Sequence, residues 1–473
     1  MNRSKKTKII ATVGPASNTK EKLWELVEAG ANIFRLNFSH GSHDQHLQVI
    51  NYIRELNREH NCNITILQDL QGPKIRTDEV ENNGVELVEG ETITITSEKI
   101  LGTKQKISTS YKNLTSDVKP GDMILIDDGN IELRVLETKN GEVKAEIIYG
   151  GILKSRKGIN LPNTNVSEPS LTEKDRKDLI FGIENNVDWI ALSFVRHADD
   201  LIELKNIIKK HNSTIKVVSK IEKPEAIQNI DEIIEQSDAV MVARGDLGVE
   251  ILMEEVPVLQ KMIVEKCNRV GKPVIIATQM MESMIKNPRP TRAEANDVAN
   301  AILDGADVVM LSAETASGDY PSLTVSSMAR ICLAVERQRR VYNKFLDFTP
   351  TTPDEYSESL ISTACALASK VGAKAIIGLS QTGYSAFQLG SHRPKADIFV
   401  VTSDRTLLTQ LNLIWGVKAF YFEKWSSTDE TIENVKEMLI QQGHLSPGDV
   451  YVATANMPIA KKQSANMLKL GLA

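Results

Sequence analysis

The sequence predicts an α/β protein built on a (β/α)8 TIM barrel, with an all-β domain inserted into the barrel and a second α/β domain after it. Three observations carry this reading. Strand-like and helix-like stretches alternate over the first 70 residues and again from Thr172 to about Tyr342. Between about Lys74 and Glu168 the alternation breaks, and short period-two runs follow one another with no helix between them. The alternating part holds eight strand-like runs in about 240 residues, the usual size of such a barrel.

Taken in order, Lys8–Val13 reads as the first strand, Thr19–Ala29 as a helix, Ala31–Ser39 as the second strand, His43–His60 as a helix and Asn63–Leu70 as the third strand. In the insert, Glu91–Thr96, Met123–Ile126 and Glu142–Ile148 alternate as half-buried strands do, the last behind the turn pair Asn140 and Gly141. Five further barrel strands fall near Trp189–Val195, Thr214–Glu222, Ala239–Leu247, Pro273–Met280 and Val308–Thr315. The segment Thr349–Pro353 carries two prolines and reads as a linker. Beyond it, strands are expected near Ala375–Leu379, Asp397–Thr402, Ala419–Phe422 and Val450–Ala453. The expected domains are residues 1–70 with 171–342 for the barrel, 71–170 for a β-barrel-like insert, and 343–473 for the C-terminal unit.

A chain of 473 residues exceeds one ordinary core. Its net charge of −6 argues against a general nucleic-acid binder. Cys62, Cys267, Cys332 and Cys365 fit neither a zinc spacing nor a disulfide framework, and read as reduced thiols. With no apolar run of signal or membrane-spanning length, a soluble cytoplasmic protein without a membrane partner is expected.

Polar residues gather at the C-terminal ends of the expected barrel strands, where such barrels carry their chemistry. On the second strand Arg35, Asn37 and Ser39 alternate with Phe34, Leu36 and Phe38, so one face is wholly polar. Burying that face is costly unless it binds something; a solvated edge strand is the alternative. The third strand ends in Asp69, which suits a cation ligand, a partner for Arg35, or a simple cap. Val217 and Val218 mark the fifth strand, and Lys220 and Glu222 follow two residues apart on one face. Asp246 follows Gly245 at the end of the sixth run, and Gly245 permits close approach of its N–H to an anion. Two carboxylates from neighbouring strands suit Mg2+, which keeps few protein ligands. The bland alternative is a surface ion pair between Lys220 and Glu222 and a turn aspartate. Thr278 adds a hydroxyl on the seventh strand, and the eighth ends in the polar stretch Ser312–Thr315. The whole is an electropositive pocket for a phosphorylated substrate. No Cys–His or Ser–His pair points to covalent catalysis, so positioning and electrostatics are expected to do the work.

In these residues the chain resembles the pyruvate kinase family. The matching stretches are Phe34–Gly41, Asp69 with Gly72–Thr77, Lys157–Pro162, Ser219–Pro224, Ala243–Glu250, Pro290–Ala301 and Met310–Ala316, in register along essentially the whole chain. The resemblance implies transfer of the phosphoryl group of phosphoenolpyruvate to ADP, giving pyruvate and ATP in glycolysis. It implies that Lys220 stabilises charge on the phosphoryl group and the enolate, and that Arg35 binds the phosphate. Glu222 and Asp246 would hold Mg2+, for which Mn2+ could substitute. Gly245, Asp246 and Thr278 would hold the substrate carboxylate, and Asn37, His40, Arg76 and Lys157 the nucleotide. The insert, ending near Lys157, would act as a lid. A homotetramer is the family's usual assembly.

Two departures bear on a monovalent cation. Members that need K+ bind it through residues corresponding to Asn37, Ser39, Asp69 and a threonine; here that last position is Leu70. They also carry glutamate where this chain has Lys74, whose ammonium could replace the ion. K+ is therefore expected not to be required; the alternative is a Lys74 that faces solvent and a K+ held by fewer ligands. In the C-terminal unit, Ser380, Thr382, Gly383 and Ser385 suit an effector phosphate at a helix start, or an ordinary capped helix. Gln381 replaces the lysine common in fructose-bisphosphate-responsive members, and the tail Asn456–Ser464 also differs from them. Ending at Ala473, the chain is expected to lack the phosphotransferase-like domain of some bacterial members. A magnesium-dependent carbon–carbon lyase is the rival enzyme class, and a phosphometabolite sensor the non-catalytic rival. The lid argues against the first, and the presence of Lys220 with Glu222 against the second.

Overall fold

A computed structural model describes residues 5–162, 164, 166–344, 353–458 and 464–473. Most of the expected linker 349–353 and of the tail 456–464 lies outside the described residues.

Eight parallel strands close a barrel: Lys8–Thr12, Ile33–Asn37, Thr65–Asp69, Trp189–Leu192, Lys216–Ile221, Ala239–Ala243, Val274–Ala277 and Val308–Leu311. Their side chains divide by the period of two. Ile9, Phe34, Leu36, Ile66 and Val217 pack outward against the helices. Ile10, Ile33, Leu67, Val218, Met241 and Ile275 fill the interior. Helix starts are fixed locally. Ser42 and Gln45 form a capping box before His43–Glu59, as do Thr172 and Asp175 before Glu173–Glu184, and Thr291 and Glu294 before Arg292–Asp304.

The observed barrel strands stop short of their expected ends. The sixth stops at Ala243, and Arg244–Glu250 forms a helix that carries Gly245 and Asp246 in its first turn. The eighth stops at Leu311, and Ala313–Ala316 is helical. The seventh stops at Ala277, after which Thr278 and Gln279 turn at positive φ (66° and 52°).

The insert forms a six-stranded sheet and a two-stranded sheet around its own apolar cluster, including Ile95, Ile124, Leu133 and Val143. The C-terminal unit is a five-stranded sheet. Four of its strands match the expectation, and a fifth, Met467–Leu472, runs antiparallel to Val450–Ala455 at the edge. This unit closes the N-terminal mouth of the barrel: Leu413 joins the interior cluster, and Trp189 donates to the Gln410 carbonyl. Among the described residues no helix is long and apolar enough to cross a membrane.

Candidate active site

The C-terminal ends of the second, third and fifth strands bring four charges together. Asp69 sits between two cations: Arg35 Nε donates to Oδ2 at 2.6 Å, and Lys220 Nζ lies 3.2 Å from Oδ1. Arg35 also donates to the Thr12 hydroxyl at 3.1 Å. Lys220 Nζ lies 2.9 Å from Glu222 Oε1, and both side chains are buried (11% and 1% exposed). A surface ion pair is thereby ruled out. Burial works against the charge on Asp69, yet Lys220 and Arg35 outweigh it and hold its carboxyl below the usual range. Burial likewise opposes the Lys220 ammonium, and Asp69 and Glu222 push its pKa up regardless. Glu222 is raised: burial outweighs Lys220, and the charge of Asp246 adds to the effect.

That repulsion tests the site for a metal. The charge of Asp246 bears on Glu222, and the ion-pair contact of Asp246 among the described residues is Lys74 Nζ, at 3.8 Å. A cation between them would relieve the repulsion, and two carboxylates are a donor set that hard divalent ions accept. No group of three or more His, Cys, Asp or Glu side chains with metal-binding geometry occurs among the described residues.

The remaining expected residues spread around this centre. Gly245 N–H donates to the Thr278 hydroxyl at 2.7 Å, which joins the helix after the sixth strand to the turn after the seventh. Arg244 braces that turn, donating to the Thr278 carbonyl (2.8 Å) and pairing with Asp297 (2.6 Å). Asn37 Oδ1 accepts from Ser39 N–H at 3.1 Å. His40 is exposed at the rim, and its pKa is lowered by burial and then by Arg76, Lys74 and Arg35 in turn. Three cations therefore act on this one imidazole. Lys157 pairs with Asp127 inside the insert at 2.7 Å. Lys74 and Asp246 line one cleft between insert and barrel with Asn160, Lys223 and Glu250. Glu314 is buried and serves the backbone, accepting from Met281 N–H and Ser312 N–H.

At two expected positions the geometry adds detail. The Leu70 side chain is buried in the outward, helix-facing cluster. Position 70 therefore offers the site its carbonyl rather than its side chain, and that carbonyl accepts from Ser193 Oγ at 2.7 Å. In the C-terminal unit, Ser380 and Thr382 hydroxyls accept from Gly383 N–H (3.0 Å) and Tyr384 N–H (3.4 Å). They cap the loop before the helix Tyr384–Ser391, with Gly383 at φ 83° and Ser385 buried.

The fourth strand contributes residues that no motif singled out. Ser193 Oγ accepts from Lys220 Nζ at 2.6 Å, and Phe194 N–H donates to Glu222 Oε2 at 2.7 Å. Trp189 and Ala191 face the interior, so the period of two points Ser193 inward as well. That signal was available in the sequence.

The chain is similar to known proteins along nearly its whole length. The family model for pyruvate kinase, barrel domain, matches residues 4–325, and that for pyruvate kinase, alpha/beta domain, matches residues 358–470. A pyruvate kinase of Geobacillus stearothermophilus is 44% identical, over 98% of this chain and 80% of the relative. One from Staphylococcus epidermidis is 42% identical, over 99% and 80%. The crystal structure of a pyruvate kinase from Cryptosporidium parvum superposes with a TM-score of 0.92 at 36% identity, covering 99% of this chain and 96% of that one.

Proposed function

The chain belongs to the pyruvate kinase family and is a kinase acting on phosphoenolpyruvate and ADP, and on that premise we propose how its residues divide the work. The observation that carries the proposal is the buried Lys220 ammonium, fixed beside Arg35 by shared contacts to Asp69. Arg35 holds the transferring phosphoryl group. Lys220 neutralises charge on that group and then on the enolate oxygen as the P–O bond breaks. Both cations are fixed by Asp69 before substrate arrives, so little reorganisation is needed at the moment of transfer. Glu222 and Asp246 would hold Mg2+ or Mn2+, which would supply further positive charge at the site. Gly245, Asp246 and the Thr278 hydroxyl orient the substrate carboxylate. The Gly245 N–H then exchanges its bond to Thr278 for one to substrate. Asn37, His40, Arg76 and Lys157 receive the nucleotide, and the insert closes over it as a lid that excludes water.

Lys74 takes the place of K+. Its ammonium lies within the site, 3.8 Å from Asp246, and its charge reaches His40. With the Leu70 side chain turned outward, this reading rests on Lys74 alone. Assayed in a tetraalkylammonium buffer with phosphoenolpyruvate, ADP and Mg2+, the enzyme should turn over at full rate, and added K+ should leave kcat unchanged. Strong activation by K+ would reject the substitution. Loss of turnover on omitting ADP separates the kinase from a lyase on the same barrel.

The protein acts in the cytoplasm as a homotetramer. Exposed Leu252, Met253 and Val258 on the barrel, and the free edge of the strand Met467–Leu472 with Leu470 and Leu472 exposed, support self-association. The loop Ser380–Ser385 takes a phosphorylated effector by releasing its own capping hydroxyls.

A further inference from the structure

We propose that Ser193 is a positioning residue for phosphoryl transfer, the neutral anchor that keeps the Lys220 ammonium aimed at the reacting oxygens. The inference rests on the role given to Lys220 above.

An ammonium has three N–H donors and accepts nothing. Three oxygens surround Lys220 Nζ: Glu222 Oε1 at 2.9 Å and Asp69 Oδ1 at 3.2 Å as ion-pair contacts, and Ser193 Oγ at 2.6 Å as its hydrogen bond. Two of the three have other duties. Asp69 also holds Arg35 through Oδ2, and Glu222 is the carboxylate assigned to the divalent ion. Asp69 Oδ1 is left without a hydrogen bond and a bound cation would claim Glu222 Oε1, so the Ser193 contact holds Lys220 in place while its other N–H groups turn to substrate. Ser193 has no competing duty. Its hydroxyl proton goes to the Leu70 carbonyl at 2.7 Å, and its lone pair is left facing Lys220. Because Lys220 can only donate, the direction of this relay is fixed: Lys220 N–H to Ser193 Oγ, and Ser193 O–H to Leu70 O. Ser193 is 1% exposed, so water cannot stand in for it freely.

The backbone around Ser193 is shaped for this contact. The next residue, Phe194, lies at φ 55°, in the left-handed region that an aromatic residue enters at a cost. In that conformation its N–H reaches Glu222 Oε2 at 2.7 Å. Consecutive residues at the end of the fourth strand therefore hold both members of the Lys220–Glu222 pair. Gly72 (φ 68°) leaves them room: a Cβ there would fall 2.7 Å from the Phe194 ring and 2.9 Å from the Ser193 Cβ. Packing thus enforces a turn that has no need to be strained merely to end a strand.

The test is a double-mutant cycle on Ser193→Ala and Lys220→Met, with melting temperatures recorded for each protein. Ser193→Ala should lower kcat by about 10- to 100-fold, the loss of one hydrogen bond to a charged group. KM for phosphoenolpyruvate should change little, since the contact matters in the transition state more than in binding. The double mutant should be no slower than Lys220→Met alone, because Ser193 acts only through Lys220. Ser193→Cys fills the same space with a poor acceptor, and carries the test if the alanine variant is unstable. Additive losses would overturn the proposal, as would a Ser193→Ala enzyme with normal kcat beside an inactive Lys220→Met. An active Lys220→Met enzyme would instead reject the role of Lys220 itself.

Discussion

At Lys220 and Glu222, two residues of one strand end face opposite electrostatic problems. The ammonium is over-supplied with partners and is held charged; the carboxylate is short of positive charge, with Asp246 repelling it. Their substitutions should therefore fail differently. Lys220→Met removes the only ammonium between Asp69 and Glu222 among the described residues, and should lower kcat about a hundred- to a thousand-fold, the scale of losing one oxyanion-stabilising group. Divalent-ion binding should survive, since Glu222 and Asp246 remain. Glu222→Gln removes one of the two carboxylates, and should weaken the metal by at least about tenfold, with activity partly recovered at high Mg2+. Titrating each variant with Mg2+ and fitting kcat and the apparent metal constant separates the two. A common defect in both variants would refute the division of labour.

At the scale of elements, a hydrogen bond ties the insert to the helix that carries Asp246, beside the ion pair of Lys74 with Asp246. Asn160 Nδ2, from the last strand of the insert, donates to Glu250 Oε1 at 2.8 Å, and Lys223 Nζ pairs with the same oxygen at 2.7 Å. Asn160→Ala leaves the buried Glu250 still neutralised by Lys223, so the fold should hold while the insert loses this hydrogen bond and keeps the longer Lys74–Asp246 contact to the helix. KM for ADP should rise roughly tenfold, the worth of about 1.5 kcal/mol, with kcat less affected; an unchanged KM would show that the insert closes without this contact. Nothing local in the sequence signals that bond, because its partners are 90 residues apart. The barrel strands were legible because parallel strands are buried on both faces and read as apolar runs with polar ends. Their exact ends were not: the sixth strand is expected to run on through Arg244–Leu247, yet Gly245 and Asp246 turn into a helix. Lys220, Glu222, Asp69 and Arg35 were legible as charges too costly to bury idly. Ser193, a small residue between Leu192 and Phe194, carries no such cost and went unmarked until its distance to Lys220 was known. The edge strand Met467–Leu472 depends on pairing with Val450–Ala455, a non-local contact that a short run ending at the chain terminus does not announce.

At the scale of the whole molecule, the barrel and the C-terminal unit meet over buried lysines. Lys8 Nζ donates to the Val417 carbonyl (2.8 Å) and Asn412 Oδ1 (3.1 Å), and Lys6 Nζ to the Ala396 carbonyl (2.6 Å). Lys5 lies beside them, bonded to Asn32. Burial lowers Lys8 to about 7, helped by the charges of Lys5 and Lys418, and burial likewise brings Lys5 and Lys6 to about 8. In the unfolded chain all three titrate near 10.4. Between pH 7 and about 8.5 the unfolded chain therefore binds more protons than the folded one, and stability rises with pH. Cys267, Cys332 and Cys365 oppose this at higher pH. Burial pushes these thiols up, so above about 8.5 they ionise only when the chain unfolds, and the gain should level off. Urea unfolding at a series of pH values should thus show a midpoint that climbs from pH 7 to about 8.5 and then flattens. Lys8→Met, which keeps an apolar stem of similar length and removes the titrating group, should reduce the slope of the climb. A midpoint that falls over that range, or a variant with the full slope, would mean that the carbonyls of Val417 and Ala396 hold these ammonium groups charged, and that the junction is held by the donated hydrogen bonds rather than strained by buried charge.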